Sequence, residues 1–223
     1  MKNRVLIIAP HPDDEVLGCG GIIKKYSKNN DNVYALIMTK GKPSLYSEER
    51  VNIGRGDALR AHKILGINET RFFDFCAPEL DLCSIATMSE AISSIIKEYN
   101  INIMYIPHRG DIHHDHKAVF NASIVAARPV GNYTVREIYA YETLSETEWA
   151  PPFADDAFIP TYFVNIADEI SDKINALLCY QGQVKEFPAS RSVTALTALA
   201  QYRGATVGFT SAEAFMHIRS IKS

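Results

Sequence analysis

The chain has 223 residues, of which 47% are hydrophobic and 22% are charged, and its formal net charge at neutral pH is −3. The net negative charge disfavours general nucleic-acid binding, which usually requires a basic face. This length and composition are typical of one globular domain, so we expect residues 1–223 to form a single domain. The sequence is compatible with either a monomer or a homo-oligomer.

The four cysteines show no CxxC pair and no dense spacing, which is typical of free thiols in a reducing compartment. The apolar run near the N-terminus is too short for a signal peptide, and no apolar stretch is long enough to cross a bilayer. We therefore expect a cytoplasmic protein without a membrane span.

Strands and helices are predicted to alternate through residue 130. In chain order, the prediction is a strand at 5–9, a helix at 15–27, a strand at 33–39, a helix at 47–65, a strand at 71–75, a helix at 84–99, a strand at 101–106 and a helix at about 113–128. Further strands are predicted at 135–143 and 161–166, and further helices at 168–180, 193–201 and 212–218. The alternation indicates an α/β fold, a Rossmann-like three-layer sandwich with a mostly parallel central sheet.

A polar cluster, His11-Pro12-Asp13-Asp14-Glu15, follows the first predicted strand. Ligands of open α/β sheets bind beyond the carboxyl ends of the strands. Capping of the following helix explains one aspartate, but it leaves the histidine and the second acid unexplained. Two adjacent carboxylates repel each other unless a cation lies between them, so the cluster indicates a cation site.

Three glycines follow the cluster, Gly18, Gly20 and Gly21. They resemble part of the G-x-G-x-x-G fingerprint of dinucleotide-binding turns, but the third glycine of that pattern is missing. We favour close packing of the helix against the sheet over phosphate binding.

A second polar cluster spans residues 108–116 and contains four of the seven histidines of the chain. It follows the predicted strand at 101–106, so both clusters are expected at one edge of the sheet. A solvated loop is the alternative, and the isolated His62 and His217 are expected to be ordinary surface or half-buried residues. A zinc ion with three protein ligands and one position open for water explains both clusters. One of the two aspartates would then ligate, and its neighbour would act as a general base.

The HPDDE motif after the first strand, with HxDH about a hundred residues later, resembles the PIG-L/LmbE-like family of zinc-dependent N-acetylsugar deacetylases. The segments RGDALRAHKILG and YRGATVGFTSAEAF are also similar to that family, so the resemblance covers nearly the whole chain. It implies an LmbE-like fold and a hydrolase that removes the N-acetyl group from an N-acetylglucosamine-type sugar or glycoconjugate and releases acetate.

The resemblance also implies a role for each matching residue. The implied zinc ligands are His11, Asp14 and His116. Asp13 would be the general base, and His113 would stabilise the developing oxyanion or protonate the leaving amine. Asp115 would orient a catalytic imidazole.

Other residues of the pattern carry weaker implications. Arg55 matches an arginine of the family and is implied to contact the substrate. Asp57 stands where the family usually has glutamate, which leaves its role open. His114 occupies the variable position of HxDH and is expected to be non-catalytic.

Three alternative functions are considered. An iron oxygenase would use a two-histidine, one-carboxylate set, but that chemistry usually occurs on an all-β barrel. A non-catalytic sugar-binding protein would not need Asp13 and His113, and both are present. A zinc-dependent hydrolase of another N-acyl amide uses the same chemistry and differs only in its pocket.

The substrate pocket is expected to be lined by residues 40–48, 76–83 and 149–158. Arg109 and Arg191 are candidates for contacting a phosphate or carboxylate of the substrate, with a surface role as the alternative for each.

Overall fold

A computed structural model of the chain describes residues 2–131 and 134–222. Its elements are, in chain order, β1 (Arg4–Ala9), α1 (Asp14–Lys28), β2 (Asn32–Gly41), α2 (Glu48–Leu65), β3 (Glu69–Ala77), α3 (Ile85–Glu98), β4 (Ile103–Pro107), α4 (His114–Ala126), β5 (Glu137–Tyr141), β6 (Tyr162–Asn165), α5 (Ile170–Leu177), α6 (Val193–Ala205) and β7 (Ala212–Ser220). The predicted alternation of strands and helices through α4 is confirmed. Helix α2 ends at Leu65, as predicted, and its C-cap Gly66 adopts a left-handed conformation with φ 81°.

The strands form one seven-stranded sheet in the order β3-β2-β1-β4-β5-β7-β6. Strands β1 to β5 pair in parallel, whereas β7 pairs antiparallel with both β5 and β6. This confirms the α/β fold with a mostly parallel sheet. The chain adds β2 and β3 on one side of β1 and then crosses back to place β4 on the other. Such a change of direction opens a crevice at the carboxyl ends of the two central strands.

The side chains of β1 alternate between two cores. Val5 and Ile7 pack into a core shared with α1, α2, α5 and α6. Leu6 and Ile8 pack into the opposite core, shared with α3 and α4. A strand buried on both faces needs a continuous apolar run, which is why residues 5–9 lack polar alternation. Among the described residues, no helix combines the length and apolar character needed to cross a membrane.

The glycines of α1 allow close packing. A Cβ atom on Gly18 would lie 2.2 Å from a ring carbon of Tyr141, and one on Gly21 would lie 2.6 Å from Cγ2 of Ile166. A Cβ atom at either position would therefore overlap its neighbour. The packing interpretation of these glycines is supported.

The predicted helix at 212–218 is wrong, because Ala212–Ser220 forms strand β7. Alanine and glutamate favour helices in isolation, but hydrogen bonds to two flanking strands and burial between them override that preference. Glu213 of β7 is buried, lies 2.6 Å from Lys173 Nζ, and accepts hydrogen bonds from two backbone N–H groups of α1. The strand thereby ties this side of the sheet to the helix that follows the first polar cluster.

Candidate metal centre

The two polar clusters meet at the crevice. Strands β1 and β4 are direct parallel neighbours, so the segments that follow them leave the sheet side by side. The ring centroids of His11 and His113 are 4.5 Å apart, although the two residues are about a hundred positions apart in sequence. The expected meeting of the clusters is confirmed.

Three of these side chains form a set of metal-ligand donors. One donor atom each of His11, Asp14 and His116 lies within 4.8 Å of the others. His116 Nε2 and Asp14 Oδ1 are buried and have no hydrogen-bond partner among the described residues. Unpaired buried polar atoms are costly, and a bound cation would satisfy both. The donor set therefore fits a divalent metal ion.

A carboxylate supports each of the two imidazoles. His116 Nδ1 lies 2.7 Å from Asp111 Oδ2, and His11 Nε2 lies 2.8 Å from Asp115 Oδ2. The other ring nitrogen of each histidine lies 3.3 Å from Asp14 Oδ2. Such carboxylate–histidine pairs are the usual support of metal-ligating imidazoles. Asp115 thus orients His11, one of the implied ligands.

Asp111 is a supporting residue for which the sequence predicted no role. Its position in the second cluster, five residues before His116, was a usable signal, because metal-bound histidines usually bond a carboxylate through their second nitrogen.

The charges at the centre perturb the ionisation of its members. Burial lowers the pKa of His116, but Asp14 and Asp111 outweigh it and raise the pKa to about 10. Burial also lowers the pKa of His11, but its hydrogen bonds with Asp115 and Asp14 have the larger effect and raise the pKa to about 9. Burial acts to raise the pKa of Asp14, but the adjacent His116 and His11 bring it well below its ordinary value. The carboxylates therefore stabilise positive charge at this point.

Asp13 lies beside the donor set. It occupies the N-cap position of α1 with φ 109°, yet its side chain makes no capping hydrogen bond, so capping does not explain it. Its Oδ2 accepts from Arg191 NH1 at 2.9 Å, whereas its Oδ1 is buried without a hydrogen-bond partner among the described residues. Burial raises its pKa to about 8 although Arg191 acts to lower it. These properties suit a proton acceptor.

His113 is placed to donate a hydrogen bond. It caps α4, where its Nδ1 accepts the backbone N–H of Asp115 at 3.1 Å. The proton of the neutral ring therefore resides on Nε2. Burial and the neighbouring His11 lower the pKa of His113 to about 4. The neutral ring is thus a hydrogen-bond donor rather than a cation in the metal-free protein.

A buried network lies beneath Asp13. The expectation that His62 is an ordinary surface or half-buried residue is wrong, because it is buried and its Nε2 lies 3.0 Å from Glu15 Oε1. Tyr180 donates to the same oxygen, and Glu15 Oε2 accepts the N–H of Asp13 at 3.2 Å. The last acid of HPDDE therefore fixes the backbone of the aspartate two positions before it. No local sequence signal pointed to Tyr180.

A pocket of about 660 Å³ opens above the donor set. Segments 40–48 and 76–83 line it, as expected, through Gly41, Tyr46, Ala77 and Pro78. The expected contribution of residues 149–158 is not found among the lining residues. That segment packs instead against the second cluster, with the Asp156 carbonyl 2.8 Å from His108 Nε2. The rest of the wall comes mainly from α2 and from residues 180–191.

The remaining candidate residues are placed as follows. Arg55 lies on the pocket wall, with its guanidinium bonded to the Phe73 carbonyl and the Asp74 carboxylate. Arg191 contacts Asp13 beside the donor set, whereas Arg109 is bonded on the surface to the Asp155 carbonyl. Asp57 also lines the pocket, and His114 and His217 are exposed.

Comparison with known proteins identifies the family. The family model described as "PIG-L: GlcNAc-PI de-N-acetylase" matches residues 6–127, more than half of the chain. The chain belongs to the PIG-L family. The family resemblance seen in the sequence is confirmed, and the matched region contains the donor set, Asp13 and His113.

PIG-L relatives cover most of the chain. "Uncharacterized deacetylase YaiS" of Escherichia coli K12 is 31% identical over 75% of this chain and 84% of its own. "Diacetylchitobiose deacetylase" of Thermococcus kodakarensis is 27% identical over 98% of this chain and 84% of its own. Among solved structures, GalB, the 4-carboxy-2-hydroxymuconate hydratase of Pseudomonas putida KT2440, superposes with a TM-score of 0.79 at 18% identity. That match covers 100% of this chain and 98% of GalB, and it shows a shared fold alone.

Proposed function

We propose that this PIG-L protein is a metal-dependent deacetylase that hydrolyses the N-acetyl amide of an N-acetylglucosamine-type sugar or glycoconjugate. The observation that carries the proposal is the buried donor set of His11, Asp14 and His116 beside the unpartnered oxygen of Asp13. Two relatives whose names state a deacetylase activity support the choice of reaction.

The donor set would hold the metal ion through two imidazoles and one carboxylate. A zinc ion bound there would polarise the acetyl carbonyl and lower the pKa of a water molecule to about 7. The same donor types also suit ferrous iron, so the donor set alone does not choose between the metals. Membership of a family whose relatives are named as deacetylases favours hydrolysis and hence zinc.

Asp13 would act as the general base. Its free Oδ1 takes a proton from the attacking water as oxygen bonds to the acetyl carbon. The C–N bond then breaks, and the proton held by Asp13 passes to the departing amine. Acetate and a free amino sugar result, so one water molecule is consumed per amide cleaved.

His113 would stabilise the negative charge that develops on the acetyl oxygen. Because its Nδ1 already accepts the Asp115 N–H, its Nε2–H is the group available to donate to that oxygen. A preorganised donor of this kind strengthens its interaction as charge develops, and so lowers the barrier. The neutral form suffices for this role.

The pocket would take the sugar. Its volume of about 660 Å³ lies within the usual range for small-molecule sites, and its wall combines Tyr46 and Pro78 with polar groups. Arg55 is proposed to contact the substrate from this wall. We also propose that residues 1–223 act as one domain and that the protein works in the cytoplasm.

The test combines metal analysis with acetate release. Wild-type protein and Asp13→Asn are analysed for metal content, and acetate is measured on N-acetylglucosamine and N,N′-diacetylchitobiose. We expect about one zinc per chain in both proteins, with acetate release only in the wild type. If the metal-loaded wild type releases no acetate from either sugar but hydrolyses other N-acyl amides, the function would be assigned to those amides. Iron with oxygen-dependent turnover would overturn the proposal.

A further inference from the structure

Arg191 connects a distant part of the chain to the candidate base. It lies in the segment between α5 and α6 and is 178 residues from Asp13 in sequence. Its NH1 lies 2.9 Å from Asp13 Oδ2, and its Nε lies 2.7 Å from Ser145 Oγ. Its NH2 lies 3.3 Å from Glu146 Oε1. The guanidinium is thus fixed on three sides, a geometry that lysine cannot reproduce.

The contact distinguishes the two oxygens of Asp13. Oδ2 is engaged by Arg191, whereas Oδ1 is buried and has no hydrogen-bond partner among the described residues. A carboxylate turns easily about its terminal bond unless one oxygen is fixed. With Oδ2 engaged in this way, Oδ1 is the carboxylate oxygen left to accept a proton.

Backbone strain occurs on both sides of this contact. Within residues 2–131 and 134–222, four residues other than glycine have positive φ. Two are asparagines at φ 61° and 51°, within the left-handed region that asparagine and aspartate visit readily, whereas a φ of 109° lies beyond it. The other two are Asp13 at φ 109° and Ser145 at φ 72°, and both contact Arg191. Strained backbone of this kind persists only where surrounding contacts hold it, and it is concentrated at functional sites.

We propose that Arg191 is a positioning residue, which holds the Asp13 carboxylate so that Oδ1 is aligned for proton transfer. The inference rests on the proposed function, because it takes Asp13 as the general base. Arg191 itself touches neither the donor set nor the reacting atoms in this role. Its removal should therefore reduce turnover more than substrate binding.

A second half-buried arginine provides a matched control. Arg203 of α6 binds Glu142 through two hydrogen bonds of 2.8 and 2.6 Å. Its side chain is 18% exposed, close to the 21% of Arg191. Arg203→Ala thus removes a comparable half-buried ion pair at a residue that forms no hydrogen bond with Asp13.

The kinetic test compares Arg191→Ala, Arg191→Lys and Arg203→Ala as zinc-loaded proteins, with N,N′-diacetylchitobiose as the substrate. We expect kcat of Arg191→Ala to fall on the order of 10²-fold with little change in KM, since misalignment of a catalytic group by about 1 Å has this effect. Millimolar guanidinium chloride should restore part of the activity to Arg191→Ala, but none to Asp13→Asn. Arg191→Lys should have a lower kcat than Arg191→Ala reaches with added guanidinium. Arg203→Ala should retain the wild-type kcat.

A crystallographic readout keeps this inference separate from the proposed function. In a crystal structure of zinc-loaded Arg191→Ala, we expect the Asp13 carboxylate to rotate or to occupy two orientations. An unchanged Asp13 orientation, or a kcat equal to that of the wild type, overturns the positioning role. If the wild type releases no acetate, the proposed function is overturned. If Asp13 is nevertheless displaced in Arg191→Ala, the positioning role remains.

Discussion

His116 and Asp111 form a fully buried pair, with His116 Nδ1 2.7 Å from Asp111 Oδ2. This contact leaves Nε2 as the only ring nitrogen of His116 that is available to a metal ion. It also sets the direction in which that nitrogen points. The pair therefore determines both the identity and the orientation of one donor atom.

Asp111→Asn should weaken metal binding without abolishing it. Loss of a carboxylate behind a ligating imidazole typically costs about 10- to 100-fold in metal affinity. Competition for zinc with a chelator of known affinity measures the change. Asp172→Asn, which alters an ion pair with lysines of α1 far from the centre, is the control and should bind zinc like the wild type. Equal zinc affinity in Asp111→Asn would contradict the role of this pair.

Zinc affinity should rise with pH. The pKa values of His11 and His116 in the metal-free protein are raised from 6.5 to about 9 and about 10, and ligation requires that both rings lose the competing proton. Raised pKa values stabilise the metal-free fold fully below about pH 6.5 and progressively less as the pH rises through both values.

The increase in Tm that zinc produces should therefore grow between about pH 6 and pH 9. Thermal denaturation with and without zinc over this range tests the expectation. A stabilisation that shrinks with rising pH would show that the histidines are not the titrating ligands.

Gly18→Ala should destabilise the protein. The new Cβ atom would lie 2.2 Å from the Tyr141 ring, and relieving such an overlap typically costs about 1–3 kcal/mol. Gly54→Ala in α2 is the matched control, because no atom lies within 4 Å of its added Cβ. That substitution should stabilise by about 0.5–1 kcal/mol through helix propensity. Urea denaturation measures both free energies of unfolding, and equal effects would contradict the packing argument.

Tyr180→Phe should cost about 1–3 kcal/mol of stability, because it removes a hydrogen-bond donor from the buried Glu15 carboxylate. Tyr202→Phe, at an exposed position on α6, should be neutral. Since Glu15 also binds the N–H of Asp13, the Tyr180 variant should lose turnover as well. Chemical denaturation and acetate release measured on the same preparations provide the comparison. If Tyr180→Phe has the stability and the turnover of the wild type, the hydrogen bond from Tyr180 does not hold Glu15 in place.

The sequence predicted the parts of the site that depend on local pattern. Apolar runs identified the central strands, and the clusters after β1 and β4 had to meet because parallel neighbours end at one edge. His11, Asp14 and His116 accordingly lie together. Their roles as ligands, and those of Asp13, His113, Asp115 and Arg55, stay predictions until metal and activity are measured.

The sequence could not predict contacts made over long separations. Arg191 lies in a segment without secondary structure, and nothing near it indicates a contact with Asp13. The strand β7 was mistaken for a helix because its neighbours β5 and β6, rather than its own residues, determine its conformation. His62 was misjudged for the same reason, since its burial depends on Glu15 in another element.

The ion pair between Arg191 and Asp13 has a consequence for synthesis on the ribosome. All three candidate metal ligands are translated by residue 116. The arginine that contacts Asp13 is translated only 75 residues later. A ribosome-bound chain that stops short of residue 191 therefore contains the three candidate metal ligands but lacks the arginine that holds Asp13.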